Sequence, residues 1–80
     1  MKDFNQKKKP EILEILNYSE GLAGAKIKEG NNAFWGYIDT DRNIIIQPIY
    51  TNVWAFKNGK AKVSDEEGKW GIIDNKGIPT

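Results

Sequence analysis

Eighty residues carry twelve basic side chains (eleven lysines and Arg42) against eleven acidic ones, for a net charge of +1, with neither cysteine nor histidine. The two absences exclude disulfides, Cys/His zinc sites, thiol nucleophiles, imidazole general bases and c-type haem attachment. A chain this short buries only about two-thirds of its unfolded surface, so self-association is an expected supplement to a marginal core.

Residues 1–9 read as a flexible basic tail, with Lys2, Lys7, Lys8 and Lys9 and no apolar h-region behind them. Apolar runs such as Ile44-Ile45-Ile46 fall far short of the ~18 residues that span a membrane. Neither a secretory signal nor a transmembrane helix is read from the chain, and the expected location is cytoplasmic, in a bacterial cell or in the host of a phage. Eleven Lys, eight Asn and eleven Ile fit an AT-rich bacterial or phage genome.

From residue 10 onward the sequence repeats itself. A shift of 38 lays Pro10 on Pro48, Ile15 on Val53, Leu16 on Trp54, Tyr18 on Phe56, Gly21 on Gly59, Ala23 on Ala61 and Ala25 on Val63. A shift of 35 then lays Trp35-Gly36-Tyr37-Ile38-Asp39 on Trp70-Gly71-Ile72-Ile73-Asp74. The difference falls in turns, Glu29-Gly30-Asn31-Asn32 against Asp65-Glu66-Glu67-Gly68, where length changes are tolerated. The chain therefore divides into the tail, a repeat over 10–47 and a shortened repeat over 48–80, the two repeats together forming one domain.

The first segment, 10–17, has two readings. Pro10 suits a first helical position and Ile12, Leu13, Ile15 and Leu16 have helical spacing, which predicts a short helix over 11–16. Its counterpart around Thr51, Val53 and Trp54 holds poor helix formers, which predicts an extended segment instead. Next come two hairpins, 22–28 with 33–39 and 60–64 with 69–74, and a strand Asn43–Gln47 after the turn Thr40-Asp41-Arg42. The fold class expected is mainly β: a small antiparallel sheet or meander of about five or six short strands.

Closing each turn symmetrically sets Ala25 opposite Trp35 and Val63 opposite Trp70. Ala23, Ala25, Trp35 and Tyr37 then share a core face, as do Ala61, Val63, Trp70 and Ile72. The opposite faces would hold Leu22, Gly24, Lys26, Phe34, Gly36 and Ile38 in the first copy. In the second they would hold Lys60, Lys62, Ser64, Lys69, Gly71 and Ile73. A slip of one residue exchanges the faces.

Glu20-Gly21-Leu22-Ala23, Trp35-Gly36-Tyr37-Ile38-Asp39 and Ile44-Ile45-Ile46-Gln47-Pro48-Ile49-Tyr50, in that order, resemble the bacterial WG-repeat (KWG-repeat) family. Asn58-Gly59-Lys60-Ala61-Lys62-Val63 followed by Gly68-Lys69-Trp70-Gly71-Ile72-Ile73-Asp74-Asn75-Lys76-Gly77 resembles a second copy. Phe34 stands where the family usually has lysine, Gln47 where it has proline, and Lys60 where it has the leucine of Gly-Leu-Ala. The resemblance implies short antiparallel strands, an interaction scaffold and no catalytic residues.

Little in the chain is equipped for chemistry. Neither serine, Ser19 or Ser64, starts a Ser-x-x-Lys motif. Asp39, Asp41 and Asp74 are too sparse for the six to eight oxygens calcium takes, and are expected to cap turns. No glycine-rich phosphate loop, cofactor site or metal site is read. The candidate partner-binding residues are Trp54, Lys57, Lys60, Lys62 and Lys69 on a basic face, with Leu22 and Phe34 on an apolar one. The function expected is a non-catalytic module that binds another protein, a second copy of itself included. One alternative is a small free-standing, phage-encoded inhibitor of a nucleic-acid-processing defence enzyme such as a CRISPR effector. The other is a weak nucleic-acid binder, which the near-neutral charge disfavours; no membrane partner is expected.

Overall fold

A computed structural model describes residues 10–80, so the predicted basic tail at 1–9 lies outside the described residues. Seven strands form: β1 (Glu11–Ile15), β2 (Ala23–Glu29), β3 (Asn32–Ile38), β4 (Ile44–Tyr50), β5 (Asn52–Val53), β6 (Lys60–Ser64) and β7 (Trp70–Asp74). They make two antiparallel sheets, β1-β2-β3-β4 and β5-β6-β7, rather than one. The boundary expected at 47/48 falls inside β4.

Residues 11–16 are not a helix. Glu11–Ile15 pairs with β2, and a bulge interrupts the pairing between Ile12 and Glu14. The inserted residue puts Ile12 and Ile15 on the same side, both packed against Ala23, Ala25, Ile27 and Ile38. A bulge in a strand thus reproduces the i, i+3 spacing of a helix. That coincidence is why the periodicity misled.

The turns repeat more faithfully than the strands. Glu20-Gly21 and Asn58-Gly59 each take positive φ at both residues, and each is closed by a pair of backbone hydrogen bonds, Ser19 with Leu22 and Lys57 with Lys60. That is the type I′ hairpin, for which Asn-Gly is the strongest short signal. Asp39, Asp65 and Asp74 each accept backbone N–H bonds on Oδ1 from the residues two and four further on, at 2.8 to 2.9 Å. Asp39 and Asp74 cap turns as expected and Asp65 does so too, whereas Asp41 only donates its N–H to Asp39. At the third residue after each aspartate, Arg42, Gly68 and Gly77 occupy the left-handed region.

Register is where expectation and structure part. Ala25 lies opposite Gly36 and Lys26 opposite Trp35; Val63 lies opposite Gly71 and Ser64 opposite Trp70. Both hairpins are shifted by one residue, so the faces exchange. In the first, the loop is the two-residue Gly30-Asn31, closed by the pair Glu29–Asn32. Gly30 supplies the positive φ its first position needs. An even loop cannot set Ala25 against Trp35.

Both faces of the first sheet are consequently buried. Leu22, Tyr37 and Ile46 pack against Val53, Phe56, Ala61, Val63 and Ile73 of the second half, with Tyr37 and Phe56 edge to face at 4.7 Å. On the opposite side Ala23, Ala25, Ile27 and Ile38 are covered by Ile12, Ile15 and Ile44 from the two edge strands. Small side chains in β2, and bulges in both β1 and β4, let the edges bend inward over them. Leu22 is 8% exposed and therefore core, not a partner surface. Gly36 and Ile38 are buried too, and Phe34 is half-buried beside Ile27.

Candidate functional site

The second sheet buries only one face. Ala61, Val63 and Ile73 point into the core, so alternation sends Lys60, Lys62, Trp70 and Ile72 to the outside. Trp54 joins them: its N–H donates to the Lys62 carbonyl at 3.0 Å, which sets it beside Lys62 across the sheet. Trp70 is 64% exposed and Trp54 45%. Trp70 was expected in the core and is the most exposed large apolar side chain among the described residues. Trp35, also expected there, is half-buried at the rim of the inter-sheet core.

Between the two indoles lies an ammonium group. Lys62 Nζ sits 4.8 Å from the ring centre of Trp54 and 4.7 Å from that of Trp70. Each such contact is worth about 0.5–1 kcal/mol at an exposed site. Beside them Trp54, Lys57, Lys60, Lys62 and Ile72 border a shallow depression of about 420 Å³. Four of the expected site residues, Trp54, Lys57, Lys60 and Lys62, are thus brought together. Lys69 stays apart in the β6–β7 turn, where Nζ lies 3.6 Å from a Glu67 carboxylate oxygen and both side chains are exposed.

The backbone beneath this face is fixed from the first repeat. Tyr37 donates from its hydroxyl to the Trp54 carbonyl at 2.5 Å, and Ser19 donates to the Phe56 carbonyl at 2.7 Å. Glu20 accepts N–H bonds from Asn58 and Gly59 at 2.6 and 2.8 Å, so the first tight turn clamps the second. Burial pushes the Tyr37 phenol well above its usual range, which keeps it a donor at all ordinary pH. Residues 54–60 are therefore held against the first repeat although most of them are exposed.

Missing from the residues picked out by sequence were Trp70 and Ile72. The signal that finds them is the parity of the β6–β7 connection. Ser64 opposite Trp70 encloses five residues with Asp65 capping them, and that registry turns Trp70 outward. Among the described residues no cluster of three or more Asp or Glu side chains could hold a metal ion. No helix among them is long and apolar enough to cross a membrane.

Paired hairpins, each with a Trp-Gly strand and a tight glycine turn, define a β-rich repeat module. Residues 35–70, from the first Trp-Gly to the second tryptophan, match the family model described as a WG containing repeat. No curated protein and no solved structure matches the chain.

Proposed function

We propose that the chain is a non-catalytic protein-interaction module whose contact surface is the outer face of the second sheet. One observation carries the reading: two exposed indoles bracket Lys62 on a sheet whose other face is core. Tryptophan is among the side chains that dominate binding energy at protein interfaces. Among the described residues no carboxylate lies within salt-bridge distance of Lys57, Lys60 or Lys62, so the fitting partner is a protein surface that presents carboxylates around an apolar centre.

The test is affinity capture from a cell lysate with the wild-type chain and with Trp54→Ala/Trp70→Ala, both checked for native circular dichroism. The expected result is a protein retained by the wild type, released by salt and lost with the double variant. Retention of the same proteins by both chains would refute this surface. Retention abolished by nuclease would transfer it to nucleic acid, where indoles stack on bases and lysines meet phosphates.

A further inference from the structure

Glu20-Gly21 and Asn58-Gly59 make the same tight turn in the two copies, but only the second is the Asn-Gly pair that suits its positive φ angles. Glu20 holds φ 56° without the short polar side chain that eases the left-handed region. Its carboxylate crosses instead to the second turn. There Oε2 accepts the Asn58 N–H at 2.6 Å and Oε1 accepts the Gly59 N–H at 2.8 Å. Two charge-assisted bonds offset the backbone strain and fix a turn whose first residue, Asn58, is exposed.

An exposed Asn-Gly step carries a reaction of its own, because glycine has no side chain to shield the attacking nitrogen. The Gly59 nitrogen gives its proton to hydroxide and attacks the Asn58 Cγ. An N–Cγ bond forms, the bond from Cγ to the side-chain nitrogen breaks, and that nitrogen leaves as ammonia with a proton taken from water. Water then opens the five-membered imide at either carbonyl, leaving an aspartyl or an isoaspartyl residue at position 58. In the imide the N–Cγ bond takes the direction that the N–H bond had. In the folded chain that direction ends on Glu20 Oε1. The carboxylate therefore stands where Cγ must arrive, and its charge holds the proton that hydroxide must remove.

We propose that Asn58 is a latent deamidation site guarded by Glu20, closed while the two turns are clamped and open when they part. The product does not return to the clamp. Either form places a carboxylate against that of Glu20, and the isoaspartyl form adds a backbone methylene to a two-residue loop. Hydrolysis is irreversible, so one opening that ends in reaction permanently alters the turn between Lys57 and Lys60. The modification is set by the chain's own geometry and holds whatever binds the indole–lysine face.

The test incubates at mildly alkaline pH the folded full chain, the same chain in urea, and the Glu20→Ala, Glu20→Gln and Ser19→Ala variants, each checked for native circular dichroism. Chymotryptic mass mapping follows the amide-to-acid conversion, since Asn58 is the sole asparagine between Phe56 and Trp70. Conversion in the folded wild type is expected to be at least about tenfold slower than in urea, and Glu20→Ala to restore at least about tenfold of that rate. Glu20→Gln keeps the shape, loses the charge and is also faster than the wild type. Ser19→Ala removes the bond to the Phe56 carbonyl on the same seam and accelerates conversion less than either Glu20 variant. Equal rates in the folded and urea-unfolded wild type, no acceleration in the Glu20 variants, or an equal acceleration by Ser19→Ala would each overturn the proposal. Hydrogen exchange tests it without any variant: the Gly59 amide is expected to be protected, and exchange as fast as in the unfolded chain would overturn it.

Discussion

The two Trp-Gly glycines answer oppositely to one added methyl group. At Gly36 the new Cβ would lie 2.9 Å from two backbone atoms of β4 and closer still to the Ile46 carbonyl. Carbon contacts are comfortable at about 3.5–4.0 Å, so β4 must withdraw by more than half an ångström. Such overpacking costs about 1–3 kcal/mol, and the obstacle here is main chain, which has no rotamer to change. Withdrawal also lifts Ile46 from the inter-sheet core and unseats buried Pro48. Alanine shortens the list of unfolded conformations, which returns about 0.4–1 kcal/mol. The net for Gly36→Ala is a loss of about 1–2 kcal/mol, or a Tm lowered by roughly 4–16 °C for a domain of this size.

Gly71→Ala meets no atom within 4 Å and its φ is not left-handed, so only the unfolded-state effect remains. A gain of up to about 1 kcal/mol is expected. Thermal and urea unfolding of both variants, followed by circular dichroism, measures the contrast. Equal stability of Gly36→Ala and the wild type would refute the crossing of β4 over β3. Equal damage from both substitutions would refute the open space at Gly71.

Three further predictions concern the turns and the buried phenol. Arg42 holds the left-handed position that Gly68 and Gly77 fill in the sister turns, so Arg42→Gly should raise stability by about 0.5–1 kcal/mol, read as a higher urea midpoint. Tyr37→Phe deletes the hydroxyl bond to the Trp54 carbonyl and should lower stability by about 0.5–1.5 kcal/mol. The folded phenol titrates above its ordinary value near 10, so its contribution is whole below that pH and erodes as pH rises beyond it; a urea midpoint that holds level well above pH 10 would contradict its burial. Asp39 and Asp74 are held below the ordinary value of 3.8, chiefly by the Asn43 and Ile78 N–H groups respectively. Their stabilisation is present above that value and lost as pH falls through the lower folded ones. Acid titration of the Asp39→Asn/Asp74→Asn chain should therefore show a shallower decline than the wild type, and an unchanged slope would refute the turn-capping role.

Local chemistry was legible in the sequence wherever one residue type answers to one conformation. Asp39 and Asp74 announce capped turns, and Asn58-Gly59, not read as a turn from the sequence, carries the tight-hairpin signal as well. Long-range geometry was hidden wherever a single residue changes parity. The two-residue Gly30-Asn31 loop moves Trp35 off the Ala25 face, and the bulge at Leu13 gives a strand the spacing of a helix. Of the site, the lysines were visible because alternation groups Lys60 and Lys62 under either register. Trp70 was not, because an aromatic opposite small residues reads as core until its partner is known to be Ser64.

The same register explains why the exposed indole–lysine face falls in the second repeat. In the first, Ala23, Ala25 and Gly36 leave room for neighbouring strands to close over one face while the second sheet covers the other. Lysines replace Leu22 and Gly24 at the corresponding positions 60 and 62, and a charged face of that kind cannot be closed over by isoleucines without stranding its ammonium groups. The second sheet must therefore stay open, and Trp70 and Ile72 stay out with it. The pair of exposed indoles flanking Lys62 is then a consequence of two substitutions in β6. Restoring Lys60→Leu and Lys62→Gly together should remove the charge that keeps this face open and the ammonium that organises the indoles. Chemical shifts of the Trp54 and Trp70 side-chain N–H groups measure the second effect directly: both should move toward a common exposed-indole value. Shifts unchanged from the wild type would show that the indoles are ordered by something other than Lys62.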